Sequence, residues 1–257
     1  MSRTPINVMG LAIDPIERTE LVDQCVAGMP LGIVVTPNAN FFVKAERDAE
    51  VRSLYNTADL RVCDSRVVAR LAMVAGYRIP VVTGADLVRD IVESPRSRTL
   101  AMCMIGGRDG YQQRITEMYG LERFRQFEFP FQAHFTDEEL ECFCAQLDGQ
   151  HAVTMICLGT PLQERLARVL RSNAADRFPT ILCVGASIDF LVGFERRAPA
   201  LVSAMGLEWL FRFFQKPKRL FRRYFIENAS MGKMYLRWLV EIRRARVRRD
   251  YADGAAQ

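Results

Sequence analysis

The sequence predicts an α/β fold: a Rossmann-like, mostly parallel sheet with helices on both faces, followed by a basic amphipathic helical appendage at the C-terminus. Three observations predict it. Short apolar runs alternate with amphipathic stretches over the first 200 residues. The chain of 257 residues is long enough to bury one large core. Its charges divide near residue 206, so we expect a body over residues 1–205 and an appendage over residues 206–257.

Five short apolar runs, often rich in β-branched residues, predict buried strands. They are residues 31–35, 60–63, 99–105, 152–158 and 180–184. Helix-like stretches separate these runs. The alternation favours a parallel sheet, because parallel neighbours need a crossover connection between them.

The helices are predicted from apolar residues that recur on one face. Residues 44–58 are predicted as a single helix, and residues 65–75 and 85–92 have the same pattern. Thr136 is followed three residues later by Glu139, which is a capping-box pattern. It predicts the start of another helix.

The cysteine and histidine content argues against disulfides and metal sites. The seven cysteines are an odd number, and those at positions 63, 103, 157 and 183 lie in or beside apolar runs. Cysteines in such runs usually behave as small buried side chains. Only two histidines are present, His134 and His151, so we predict no metal site and no cofactor.

The C-terminal appendage is strongly basic. Residues 206–257 contain 13 Lys and Arg against 5 Asp and Glu, a net charge of +8, whereas the first 205 residues have a net charge of −3. Aromatic residues, including Trp209, Phe213 and Trp238, are interleaved with these cations. The combination is typical of a membrane interface, where rings lie at the headgroup level and arginines reach phosphate. Two other interpretations stay open: a helix packed on the body with a solvated basic face, and a nucleic-acid surface, which is disfavoured because only the appendage is basic.

The apolar runs also bear on location. None reaches the roughly 18 residues that a membrane-spanning helix needs. The first ten residues lack the basic start and long apolar stretch of a secretory signal. We therefore expect a cytoplasmic protein that is peripheral on a membrane.

Polar or glycine residues follow four of the predicted strands, at residues 36–40, 64–66, 106–107 and 159–164. Ligands of parallel sheets bind beyond the carboxyl ends of the strands, so this pattern predicts a site there. Each segment alone also fits a turn or a helix cap. The sequence contains no dinucleotide fingerprint, Walker loop or Gly-x-Ser-x-Gly elbow, and the last absence argues against an α/β hydrolase.

These segments belong to a longer series of motifs. Its first half lies at residues 36–40, 58–66 and 82–87, and its second half at residues 106–107, 158–164, 184–190, 193–199, 206–210 and 217–224. In this order the motifs resemble glycosyltransferase family 26, the WecG/TagA/CpsF family, over roughly residues 5–226. Two positions depart from the family pattern: Ser65 stands where glycine is frequent, and Leu162 stands where a Pro-Lys-Gln-Glu motif has lysine.

The resemblance implies an inverting, metal-independent glycosyltransferase. The donor would be a UDP-sugar, and the acceptor an undecaprenyl-diphosphate-linked saccharide in exopolysaccharide, antigen or teichoic acid assembly. The two departures favour a β-glucosyltransferase of exopolysaccharide synthesis. The body would be the catalytic domain. The appendage would associate with the anionic inner face of the bacterial cell membrane and close over the active site, and no nucleic acid is involved.

The resemblance also assigns roles to residues. Asp64 corresponds to the candidate base that takes the proton of the acceptor hydroxyl; the alternative is a cap for the helix predicted at residues 65–75. Arg212, Arg219 and Arg222 correspond to arginines that stabilise the departing UDP, since guanidinium groups bind diphosphate in a bidentate way. Candidates for holding sugar hydroxyls are Thr36, Asn38 and Gln163. Candidates for the nucleotide cavity are Gly106, Gly107, Gly185 and Asp189.

Two other functions stay open at this point. One is a transferase with a soluble acceptor, and the other is a non-catalytic, membrane-associated scaffold of polysaccharide assembly. The joint presence of Thr36, Asn38, Asp64 and Gln163 argues against a scaffold with a decayed site.

Overall fold

The computed structural model describes residues 4–132, 134–195, 198–199, 202, 208–215, 221 and 230–254. Of residues 208, 209, 212 and 246–254 it describes only the backbone.

The centre of the fold is a parallel sheet. The strands are β1 (Ile6–Val8), β2 (Leu11–Ile13), β3 (Gly32–Val35), β4 (Leu60–Arg61), β5 (Met102–Gly106), β6 (Phe124–Phe127), β7 (Val153–Cys157) and β8 (Thr180–Cys183). Six of them form the sheet, in the order β4-β3-β8-β7-β5-β6, and all their pairings are parallel. This confirms the predicted fold class and all five predicted strands. The antiparallel β1–β2 hairpin and the edge strand β6 were not predicted, because β1 and β2 are only three residues long and β6 contains Arg125 and Gln126, so that it is not an apolar run.

Helices surround the sheet. They are α1 (Arg18–Val26), α2 (Ala39–Arg47), α3 (Ala49–Asn56), α4 (Arg66–Val74), α5 (Gly84–Glu93), α6 (Tyr111–Tyr119), α7 (Asp137–Gln146), α8 (Leu162–Ala174) and α9 (Ser187–Leu191). Two further helices, Glu208–Gln215 and Ser230–Gly254, lie in the appendage. The capping box that begins α7 is confirmed: the Glu139 N–H donates to the Thr136 hydroxyl, and the Thr136 N–H donates to the Glu139 carboxylate at 2.8 Å.

The prediction of one helix over residues 44–58 was wrong. The chain breaks at Asp48, whose backbone is extended at φ −126° and ψ 112°. The Asp48 carboxylate accepts hydrogen bonds from the N–H groups of Glu50 and Val51, at 2.9 and 3.3 Å, and so caps α3. The apolar periodicity continued across the break and concealed it.

Two apolar cores cover the two faces of the sheet, because successive strand residues point to opposite sides. Ile33 and Val35 pack with α2, α3, α4, α7, α8 and the helix Ser230–Gly254, whereas Val34 packs with α1, α5, α6 and α9. The neighbouring strands β5 and β7 are therefore followed by helices on opposite faces, α6 and α8. Such a divergence opens a crevice beyond the carboxyl ends of the strands.

The cysteines in the strands behave as predicted. All seven are free, and Cys63, Cys103 and Cys183 are buried while Cys157 is half-buried. Burial raises the pKa of the Cys63 and Cys103 thiols to about 12, so both are inert apolar side chains at neutral pH.

The helix Ser230–Gly254 packs on the body. Met231, Met234 and Trp238 are buried in the same core as α2, and the Trp238 ring lies 5.8 Å from that of Tyr77. Arg237 forms an ion pair with Glu46 of α2. Trp238, one of the aromatic residues from which a membrane interface was predicted, therefore anchors this helix to the body.

Candidate active site

A cavity of about 380 Å³ lies beyond the carboxyl ends of β3, β4, β7 and β8. It is bounded by α2 and α8 on one side and by the first residues of α5 and α9 on the other. Five of the residues predicted from the sequence line it together: Thr36, Asn38, Asp64, Gln163 and Gly185. They come from four different strand ends, which only the parallel arrangement brings to one place.

The two residues that follow β3 have local structural partners. The Thr36 hydroxyl donates to the carbonyl of Cys183 at 3.1 Å, which joins the ends of β3 and β8. The side-chain oxygen of Asn38 accepts from the N–H groups of Asn40 and Phe41, at 3.1 and 3.2 Å, and so caps α2. Asn38 can therefore offer a ligand mainly its side-chain nitrogen.

Asp64 follows β4 and lines the cavity. Its backbone N–H donates to the carbonyl of Pro37 at 3.0 Å, which fixes the loop after β4 against the loop after β3. The cap of α4 is Ser65, whose hydroxyl accepts from the N–H of Val68 at 3.2 Å. The capping role considered for Asp64 is thus filled by its neighbour, and the Asp64 side chain lies on the cavity wall.

A cluster of polar side chains follows β7. Gln163 Oε1 accepts from the N–H of Gly185 at 3.0 Å, and Gln163 Nε2 donates to Glu164 Oε1 at 2.8 Å. The hydroxyl of Thr160 also donates to Glu164 Oε1, at 3.0 Å. Glu164 is only 4% exposed, and burial raises the pKa of its carboxyl group. Sequence reasoning did not single out Glu164, although it follows Gln163 directly in a quoted motif.

Lys44 is a second wall residue that sequence reasoning missed. It lies on α2, one turn after Asn40, and its ammonium group donates to the carbonyl of Thr160 at 3.2 Å. Among the described residues of the wall it is the one Lys or Arg side chain. Its spacing of four residues from Asn40, on the same helix face, was the signal that could have revealed it.

The N-terminus of α5 reaches the cavity through Gly84. A Cβ atom at this position would lie 2.6 Å from the Ser187 hydroxyl and 3.4 Å from that of Thr36, so only glycine permits this approach. Thr83 caps the helix by accepting from the N–H of Asp86 at 3.1 Å. Thr83 and Ala85 line the cavity, which therefore meets the positive end of a helix dipole.

Gly106, Gly107 and Asp189 lie outside this wall. A Cβ atom at Gly106 would meet the Leu158 side chain at 2.9 Å, so the glycine allows close packing of the ends of β5 and β7. A Cβ atom at Gly107 would lie 3.2 Å from the Tyr111 ring. The Asp189 carboxylate accepts from the Tyr111 hydroxyl at 2.7 Å and lies 4.0 Å from the Arg108 guanidinium group. Asp189, Tyr111 and Arg108 thus form a second polar group, beside the crevice between β5 and β7.

The positions of the three predicted catalytic arginine side chains are not described. The side chain of Arg212, on the helix Glu208–Gln215, and the whole of Arg219 and Arg222 lie outside the described residues. Their roles stay predictions.

The described residues contain no group of three or more His, Cys, Asp or Glu arranged as a metal site requires. None of the described helices is long and apolar enough to cross a membrane.

Comparison with known families agrees with this geometry. The family model described as the glycosyl transferase WecG/TagA/CpsF family matches residues 6–245. The match covers every strand of the sheet, all the loops that line the cavity and most of the C-terminal helix. The chain belongs to the WecG/TagA/CpsF family of glycosyltransferases, whose members act in the synthesis of cell-envelope polysaccharides.

Proposed function

We propose that this glycosyltransferase inverts the anomeric configuration, needs no metal ion, and moves a sugar from a UDP-sugar to a polyprenyl-diphosphate-linked saccharide. The observation that carries the proposal is the position of Asp64 on the cavity wall, with the capping role taken by Ser65. In an inverting transfer the acceptor oxygen attacks the anomeric carbon as the bond to UDP breaks. Asp64 takes the proton of the attacking hydroxyl, and UDP leaves with the electron pair of the broken bond.

The departing diphosphate needs positive charge or hydrogen-bond donors. Two features of the described wall support this: the ammonium group of Lys44 and the N-terminus of α5, which begins at Gly84. Arg212, Arg219 and Arg222 are proposed to complete this environment from the appendage.

The nucleotide is proposed to extend from the cavity towards Gly106, Gly107 and Asp189. This direction follows the crevice between β5 and β7, where ligands of open parallel sheets bind. The Arg108 guanidinium group lies 4.0 Å from the centre of the Phe194 ring and 4.0 Å from Asp189, which adds a planar cation and a ring at that end. Asp189 can accept hydrogen bonds from ribose hydroxyls.

The acceptor lipid is proposed to approach along the helix Ser230–Gly254. Trp238 anchors one face of this helix in the core, which leaves the opposite face to the outside. The exposed side chains described on that helix are mostly basic or aliphatic, with one acidic residue: Lys233, Leu236, Arg237, Val240, Glu241, Arg243, Arg244 and Ala245. A face of this composition supports binding to an anionic membrane surface, such as the inner face of a bacterial cell membrane.

The direct test is release of UDP. The purified full chain is incubated with UDP-glucose, UDP-N-acetylmannosamine or its uronic acid, together with prenyl-diphosphate-linked saccharides in anionic vesicles. We expect UDP release that depends on the lipid-linked acceptor, with UDP-glucose as the best donor. Equal release with a free saccharide would favour the soluble-acceptor alternative. Absence of both UDP release and UDP binding over the whole panel would instead favour the non-catalytic scaffold.

A further inference from the structure

The side-chain amide of Gln163 has a defined orientation in the cavity wall. The backbone N–H of Gly185 can only donate, so the atom that it contacts at 3.0 Å is the Gln163 oxygen. The Gln163 nitrogen therefore faces Glu164 Oε1, at 2.8 Å, and its other described contact is the Thr160 hydroxyl at the long distance of 3.4 Å. One hydrogen of this nitrogen is held firmly by Glu164. The other has a weak protein acceptor, which a ligand oxygen can replace.

Glu164 is held by protein groups and shielded from solvent. Its Oε1 accepts from Gln163 and Thr160, while its Oε2 is buried and has no hydrogen-bond partner among the described residues. The titratable groups that face it are Lys44 from α2 and Cys183 from β8. Within the described part of the chain Lys44 forms no ion pair with Glu164, since its ammonium group donates to the Thr160 carbonyl. An unpaired buried carboxylate is costly, which favours the protonated, neutral form of Glu164.

We propose that Glu164 is a positioning residue: as an uncharged carboxyl group it fixes the Gln163 amide, so that Gln163 braces the turn at Gly185 and offers one N–H to an oxygen of the bound sugar. This role rests on the proposed function, which makes the cavity a sugar site. Glu164 exchanges no proton with the substrate, because its second oxygen is buried. Asp64 acts as the base in the proposed function, whereas Glu164 in the same cavity is neutral.

A set of four variants tests this role: Gln163→Ala, Glu164→Ala, the double variant, and Glu164→Gln. Each alanine variant is expected to lower kcat/KM for UDP-glucose by about tenfold to a hundredfold, the scale of a misplaced binding group. Because both act through the same amide, the double variant should be no worse than the poorer single variant. Glu164→Gln keeps an acceptor oxygen in a neutral group of the same shape, so it should recover most of what Glu164→Ala loses.

Two outcomes overturn the proposal. Losses that multiply in the double variant would show that Glu164 acts independently of Gln163. If Glu164→Gln lowers kcat/KM as much as Glu164→Ala does, the ionisable group itself takes part in the reaction. If Glu164→Ala does not fold, Glu164→Leu fills the same volume without an acceptor and replaces it.

A measurement without substrate separates this proposal from the proposed function. A carboxyl group whose pKa is raised by folding stabilises the folded state below the ordinary glutamate pKa, about 4.3, and this contribution is lost as the pH rises through the folded pKa. The Tm of Glu164→Gln minus that of the wild type should therefore increase as the pH rises from 5 to 8. A constant difference would overturn the neutral state of Glu164. If the wild type releases no UDP from any donor, the proposed function fails, while this difference and the coupling of the Gln163 and Glu164 variants in Tm still test the positioning contact.

Discussion

Two groups of neighbouring strands in the sheet differ at their carboxyl ends, although the strands of both groups are followed by glycine or polar residues. On one side, β4, β3, β8 and β7 end around the cavity of about 380 Å³. On the other side, β5 and β6 end near α6, beside a more open depression of about 450 Å³. In that depression the side-chain oxygens of Gln112 and Gln126 accept from each other's backbone N–H, at 2.8 and 3.0 Å. In the larger space, the side-chain oxygens of these two glutamines are therefore already occupied by backbone N–H groups.

The cavity lies where helices leave the sheet on opposite faces. The helices that follow β3, β4 and β7, namely α2, α4 and α8, lie on one face of the sheet, and α9, which follows β8, lies on the other, so the loops between them separate and leave a cavity. A carboxylate, a cation and a helix N-terminus converge there, in Asp64, Lys44 and the start of α5. A site is thus marked by converging groups of different chemistry rather than by volume. If chemistry belongs to the cavity and nucleotide binding to the neighbouring group around Asp189, substitutions in the two places should affect different kinetic constants.

The largest effect is expected at Asp64. Asp64→Asn and Asp64→Ala should lower kcat by at least about a hundredfold, the usual scale for loss of a general base, with little change in the KM for the UDP-sugar. UDP release under saturating acceptor measures both constants. Ser65→Ala is the matched control: it removes the α4 cap, worth about 1 kcal/mol of stability, and should keep the turnover of the folded protein. Turnover of Asp64→Asn near that of the wild type would remove Asp64 from the role of base.

The second effect separates chemistry from membrane binding within the appendage. Substitution of Arg212, Arg219 or Arg222 by alanine should lower kcat by about tenfold to a hundredfold even with a short, soluble acceptor analogue, because a group that stabilises UDP acts whatever the acceptor lipid. The control group is basic residues nearer the C-terminus: Arg243, Arg244, Arg246, Arg248 and Arg249. Neutralising these should weaken salt-sensitive vesicle binding by about 1 kcal/mol each and leave turnover of the soluble analogue intact. Purely lipid-dependent losses in both groups would make the appendage an anchor only.

A smaller effect, on binding, is expected at the second polar group. Asp189→Asn should raise the KM for the UDP-sugar by about tenfold, the scale of one charged hydrogen bond, and change kcat little. Tyr111→Phe removes the 2.7 Å hydrogen bond to Asp189 but keeps the carboxylate, and so serves as the control. If both variants raise KM equally, Asp189 supports the fold near α6 instead of contacting the nucleotide.

The smallest effect is expected from chelation. Treatment with EDTA followed by gel filtration should leave UDP release unchanged, because protein cations and helix N–H groups are proposed to stabilise the leaving group. Loss of activity that Mg²⁺ or Mn²⁺ restores would contradict the metal-independent mechanism and the roles given to the arginines.

The sequence by itself determined the α/β class, the five strands and five of the residues that line the cavity, namely Thr36, Asn38, Asp64, Gln163 and Gly185. Buried strands and the polar residues after them are local features of the chain, and the rule that parallel strands end at one edge is general. The start of α7 at Thr136 was also predicted, because a side-chain cap depends only on residues close together in the sequence. The motifs at the strand ends also carried the resemblance to the family that the comparison later established.

Only the tertiary structure decided which of these residues share a wall and what each one contacts. The helix predicted over residues 44–58 is interrupted at Asp48, because the Asp48 carboxylate caps α3. The apolar periodicity continues across this break and does not reveal it. Trp238 is buried because the C-terminal helix docks on α2 and Tyr77, and a basic aromatic sequence has the same composition whether it faces lipid or protein. Glu164 and Lys44 join the site, while Gly106 is used for close packing, because burial and hydrogen-bond geometry depend on neighbours that are distant in sequence. Composition and spacing determine which groups the chain contains, and the three-dimensional packing determines their charge, partners and access to a ligand.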